Sequence, residues 1–184
     1  MDAEFSVELG ADDPTLAVPW RSPNGEIEYV DLRKHPEAID RLEEMRAFPE
    51  LGEFLRRLNA AESAYQTAKC DAWFDSLMDV DDDPYEEGMK CGSYVDVFFA
   101  GARRLADFAE HERWAREVVR RVRGAEDLQA RAEIAVRRAW FEDENPGEGF
   151  YWTIYVFGYG EGVEDARGVW VEAIRQVQDA LLSM

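Results

Sequence analysis

Gly149-Phe150-Tyr151-Trp152-Thr153-Ile154-Tyr155-Val156-Phe157-Gly158-Tyr159-Gly160 is the stretch whose reading decides the fold. Aromatic and β-branched side chains suit a pleated, packed surface, and the glycines at either end bound the run, so it reads as a central strand. Successive residues of a strand point to opposite sides. Phe150, Trp152, Ile154 and Val156 then share a core face, and Tyr151, Thr153, Tyr155, Phe157 and Tyr159 share the other. That second face is apolar but carries four hydroxyls, which need a cover able to accept hydrogen bonds: a helix, a partner or a ligand. Aromatic stripes mostly belong to cores, so packing under a helix of the same chain is the commoner outcome; the functional reading is the floor of a pocket or interface.

Immediately upstream, residues 131–141 alternate, with Ile134, Val136 and Trp140 on one side and Glu133, Ala135, Arg137 and Ala139 on the other. The turn Asp143-Glu144-Asn145-Pro146-Gly147-Glu148 returns the chain, which predicts an antiparallel hairpin. In that hairpin the small Ala135 and Ala139 beside Tyr151, Tyr155 and Tyr159 leave a shallow aromatic groove edged by Arg137 and Glu133. Cys91–Phe99 alternates as a further strand, with Asp96 on its less apolar side, facing solvent or an arginine. Tyr151, Tyr155, Tyr159, Arg137, Glu133 and Asp96 are therefore the candidate binding residues, since ligand floors and interfaces combine aromatics with a few polar groups.

Toward the start of the chain, residues 1–14 are polar and acidic and read as a mobile lead-in, leaving 15–184 as a single domain. Leu16, Val18 and Trp20, the turn Ser22-Pro23-Asn24-Gly25, then Ile27 and Tyr29 predict a hairpin. Pro36 opens a helix marked by Ile39, Leu42 and Met45. Leu51, Phe54, Leu55, Leu58, Ala61, Tyr65, Ala68 and Ala72 keep a 3.6-residue period, which predicts a helix from Pro49 to about residue 75. Another helix, ending near Arg123, buries Leu105, Phe108, Ala115, Val119 and Val122. A last one starts near Val163 and buries Ala166, Trp170, Ala173, Val177 and Leu181. The order ββααβαββα is an α+β arrangement, a mostly antiparallel sheet with helices on at least one face; from Tyr94 onward βαββα can form most of a ferredoxin-like unit.

The chain carries 40 acidic and 21 basic residues, a net charge of −19. The excess lies in residues 1–100, with 24 acidic and 9 basic side chains, against 16 and 12 in the remainder. Such a field repels nucleic acid and anionic membranes and favours basic partners. Only three of the basic residues are lysines, which equally fits a GC-rich genome or a salt-adapted cytoplasm. Arg113, Arg116, Arg120 and Arg123 form a basic stripe on one helix flank, best explained by pairing with the protein's own carboxylates, for example those of residues 79–87. No apolar run approaches the ~20 residues of a membrane span, and Cys70 and Cys91 have no metal-ligand or redox spacing, so a cytoplasmic protein is expected.

Catalytic and cofactor motifs fail on their most demanding positions. Asp79, Asp81 and Asp83 take EF-hand-like positions, but Pro84 stands where that loop needs glycine and Lys90 where it needs glutamate. Gly158-Tyr159-Gly160-Glu161-Gly162 lies between a strand and a helix but lacks the dinucleotide spacing, and Glu161, Glu164 and Asp165 oppose a phosphate. His35 reads as structural, and His111, between Glu110 and Glu112, as solvated. No catalytic residue, cofactor or metal is expected. The leading expectation is a non-enzymatic, acidic intracellular binding protein engaging a basic protein partner, in the manner of a bacterial immunity protein or antitoxin. The alternative is a small-molecule-binding or hydrolytic enzyme that uses the aromatic groove with carboxylates as acid and base.

Overall fold

The structure, a computed structural model, describes residues 1–22, 24–76, 84–101, 106–124, 127–142 and 146–184. In chain order these form β1 (Asp2–Glu8), β2 (Thr15–Val18), a 3-10 turn (Pro36–Arg41), α1 (Glu44–Ala47), α2 (Pro49–Leu58), β3 (Tyr65–Ser76) and β4 (Met89–Phe99). They are followed by α3 (Phe108–Arg123), β5 (Ala130–Phe141), β6 (Gly147–Gly160) and α4 (Val163–Leu182). The class is α+β, built on one six-stranded, mostly antiparallel sheet. The run quoted above is its middle strand: β6 lies between β5 and β4, both antiparallel to it, and β3 flanks β4. On the far side β1 and β2 follow one another along β5, both parallel to it. No described helix is long and apolar enough to cross a membrane.

The even residues of β6 face the helices. Trp152 is fully buried, its ring stacked on Trp114 of α3 with centroids 3.7 Å apart, and its Nε1 donates to the carbonyl of His111 at 3.2 Å. Trp170 of α4 is equally buried and its Nε1 donates to Ser93 Oγ of β4 at 3.0 Å. Tyr65 Oη accepts from Trp114 Nε1 at 2.7 Å and donates to the carbonyl of Leu181 at 3.1 Å, tying β3 to both long helices. α4 lies directly on the backbone of β6. A Cβ on Gly158 would stand 2.2 Å from the Trp170 nitrogen, and one on Gly160 2.4 Å from that of Ala166.

Several expectations are corrected. Residues 2–8, read as a mobile lead-in, pair with β5 residue for residue, with Ala3, Phe5 and Val7 opposite Ala132, Ile134 and Val136. Only Thr15–Val18 of the expected first hairpin joins the sheet; beyond it Arg21 and Glu28 make an isolated bridge. The helix from Pro49 stops at Leu58, and residues 65–76 are a strand, so the order is ββααββαββα rather than ββααβαββα. A ferredoxin-like unit would add its last strand beside β4 after α4, whereas that place is held by β3, the hairpin partner preceding β4. His111 is fully buried rather than solvated, held among the rings of Trp152, Phe99 and Phe150. Gly158 and Gly160 lie within β6 and serve helix packing, not a loop. Asp79, Asp81, Asp83, Leu105 and residues 143–145 fall outside the described residues.

Candidate functional site

Among the described residues, the sheet's second face, away from the helices, is covered at its two ends, at one by the chain following β2 and at the other by Tyr85, whose ring packs on the buried Tyr159. The chain leaving β2 lays residues 20–22 and 24–33 over the first of these ends as a strap. Trp20 Nε1 donates to the Ala68 carbonyl at 3.2 Å, and Gln66 Nε2 donates to Tyr29 Oη at 2.6 Å. Arg33 closes the strap by donating to the carbonyls of Ala61, Ser63 and Tyr65 at 2.8–2.9 Å. Under this end Tyr151, Ala139, Phe98 and Phe141 are buried.

A polar line crosses the sheet here, one residue from each of four strands. Arg137 of β5 pairs with Glu8 of β1 at 2.7 Å, and its Nη1 donates to Thr153 Oγ1 of β6 at 2.9 Å. Thr153 Oγ1 in turn donates to Asp96 Oδ1 of β4 at 2.7 Å. Burial penalises the Asp96 carboxylate and pushes its pKa up to about 6, although the Thr153 hydrogen bond and the charges of Lys69 and Arg137 pull the other way. Burial alone would lower the Arg137 guanidinium, but Glu8 and Tyr155 hold it above its ordinary value. The Tyr151 phenol is raised to about 12, by burial first and then by Asp96.

Of the sequence candidates, Asp96, Arg137, Tyr151 and Tyr155 gather around Thr153: Tyr151 stands opposite Arg137, and Arg137 Nη1 lies 3.4 Å from Tyr155 Oη. Glu133 lies opposite Tyr155 and is paired with Arg131 at 2.9 Å. Tyr159 is farther along, opposite Lys90, with its ring 5.0 Å from that of Tyr85. Ala135 and Ala139, over which a groove was expected, are both buried. The register sets Ala135 against Thr153 and Ala139 against Gly149, with Leu16 buried opposite Ala139, so that end is filled.

The open part of the face lies toward β4 and β3, on residues of which the sequence reading selected only Tyr155. Trp73, Tyr94, Tyr155 and Phe157 are all half-buried there. Tyr155 stacks with Phe157 at 6.2 Å, Tyr94 leans on Tyr155 at 6.0 Å, and Trp73 meets Phe157 edge-on at 6.3 Å. Gly92 allows this closure, because a Cβ would lie 3.0 Å from the Trp73 ring and 3.1 Å from Phe157. Exposed Asp71 and Asp75 flank Trp73 on β3. Two of the chain's own cations rest on these rings: Lys90 Nζ is 5.5 Å from the Phe157 centroid and Arg137 Cζ 5.9 Å from that of Tyr155. Trp73 was hidden by the helical reading of 49–75, whereas the alternation in Cys91–Phe99 already put Tyr94 beside Asp96.

Among the described residues no group of three or more His, Cys, Asp or Glu side chains is placed to hold a metal ion. Comparison of the chain with protein-family models, with curated proteins and with solved structures finds no match.

Proposed function

We propose that the protein is a non-enzymatic binding protein that captures a basic protein partner on the open half of the sheet's second face, in a role like that of an immunity protein or antitoxin. One observation carries the reading: the half-buried rings of Trp73, Tyr94, Tyr155 and Phe157 form a continuous surface on which Lys90 and Arg137 already sit. Aromatic faces attract ammonium and guanidinium groups, and partly desolvated aromatic anchors dominate interface energetics. Asp71 and Asp75 at the margin and the net charge of −19 would steer a basic partner toward this surface. The two unpaired thiols, Cys70 and Cys91, fit a reducing cytoplasm.

The test is capture from the native lysate at low and high salt, with the wild type beside Trp73→Ala and Tyr155→Ala. A stoichiometric basic protein that is lost at high salt, and lost with either substitution, supports the reading. A partner that binds both variants as it binds the wild type removes the aromatic face from the interaction.

A hydrolytic role is the second reading, favoured by Asp96, a carboxyl whose pKa near 6 lies in the range useful to a general acid or base. It requires an activity lost in Asp96→Asn, with a pH profile inflecting near 6.

A further inference from the structure

Between the strap and β3 lies a cleft of about 740 Å³. Its floor is a bulge, where the pairing of β3 with β4 shifts between Thr67 and Cys70. Bulges re-aim side chains out of the regular ladder, and Lys69 is turned here so that its Nζ lies 4.9 Å from the Trp20 centroid. Trp20, Leu42, Leu55 and Tyr94 supply apolar walls. The volume falls within the ~300–1,000 Å³ typical of small-molecule sites, and exceeds what one protruding lysine or arginine of a partner would fill.

The charges around the cleft are unevenly satisfied. Arg21 is paired with Glu28 at 3.5 Å, Lys69 is occupied by Trp20, and Arg41 stands exposed at the margin. Glu43, Glu44 and Asp71 also line the cleft, and none of the three makes an ion pair among the described residues. On the floor, the Cys70 thiol is pushed up to about 12 by burial first and then by the charges of Glu44, Asp71 and Asp96, so the electrostatic field there is negative.

We propose that this cleft binds a small organic cation, an ammonium or guanidinium group on an apolar body, with Glu43 and Glu44 meeting the charge and Trp20, Leu42 and Leu55 the body. The cleft borders the capture face through Tyr94 and Asp71, but the groups that meet the ligand, Glu43, Glu44, Trp20, Leu42 and Leu55, lie outside that face, so the proposal stands or falls without the capture of a basic partner.

The test is isothermal titration of the full chain with phenethylamine, hexylamine and hexylguanidine, beside phenethyl alcohol and 3-phenylpropionate. At least one of the cations binds ten times or more tightly than the alcohol, and 3-phenylpropionate does not bind. The double variant Glu43→Gln, Glu44→Gln weakens that binding at least fivefold with an unchanged Tm, and Leu42→Trp, which fills the cleft, removes it. If Leu42→Trp does not fold, the glutamine variant decides alone. Failure of all three cations at millimolar concentration, equal binding of 3-phenylpropionate, or undiminished binding in the glutamine variant overturns the proposal.

Discussion

Thr153 donates its hydroxyl hydrogen to Asp96 over 2.7 Å, on a face of the sheet where Asp96 retains only 5% of its exposure. One hydroxyl offers a single donor to a carboxylate that needs several, so burial wins and the Asp96 pKa rises from 3.8 to about 6. Between those values the folded chain binds more protons than the unfolded one. Stability therefore falls as pH rises from about 4 to 6, by an amount on the order of 3 kcal/mol, and stays reduced above that window. Asp96→Asn removes this slope and is expected to be at least as stable as the wild type at pH 7. Urea denaturation of both proteins at pH 4.5 and 7 checks it; an unchanged slope in the variant would show that Asp96 is not its source.

His111 works in the opposite direction. It is enclosed by the rings of Trp152, Phe99 and Phe150, with its Nδ1 2.8 Å from the Asp107 carbonyl. Burial lowers its pKa below 6.5, against the raising influence of Asp107, Phe150 and Glu110. The unfolded chain takes up this proton first as pH falls, so the histidine's contribution to stability, complete above 6.5, is lost below it. His111→Phe keeps a ring in the cluster and abolishes that loss. Denaturation of the variant at pH 7.5 and 5.5 should show a smaller acid-side decline than the wild type shows.

The middle of the sheet was legible because β6, β5 and β4 obey period-two patterning and end in strong turn or glycine signals. β3 was not, and its bulge explains why. Its helix-facing residues are Tyr65 and Thr67, then Cys70, Ala72 and Phe74, and the three-residue step at the bulge breaks the alternation. With Leu51 to Leu58 just before it, the spacing of Tyr65, Ala68 and Ala72 then imitates a helical stripe. No glycine or proline marks the real break at Asn59–Ala64. β1 carried a readable alternation in Ala3, Phe5 and Val7, outweighed by Asp2, Glu4 and Glu8 around them. Missing β3 meant missing Trp73 and the β3 side of the open surface, while Asp96, Arg137 and Tyr155 were found because their strands were.

Close helix approach makes two glycines behave differently. Gly158→Ala places a methyl group against main-chain atoms of α4, the Trp170 nitrogen at 2.2 Å and its Cα at 2.6 Å, which no rotamer change relieves. A loss of at least about 3 kcal/mol is expected, at the upper end of what overpacking costs. Gly168 lies inside α4 with nothing within 4 Å of an added Cβ, so Gly168→Ala should gain roughly 0.5–1 kcal/mol from helix propensity. Paired melting curves of the two variants test whether α4 is seated on β6 as described.

The aromatic face and the acidic margin make different demands on a bound partner. Tyr155 is half-buried, so Tyr155→Ala should leave a folded protein and, if the ring anchors the partner, weaken binding by about 2 kcal/mol, roughly thirtyfold in Kd and mostly through faster dissociation. Asp71 and Asp75 are exposed, and the Asp75 pair with Lys90, at 3.8 Å, adds little stability. Reversing both to lysine should instead slow association, by about tenfold at low salt, and the difference from wild type should vanish as salt screens it. Surface-captured partner followed in real time separates the two effects. Dissociation unchanged in Tyr155→Ala would exclude the rings as anchors, and association unchanged in the double reversal would place the steering charge elsewhere on the acidic first half of the chain.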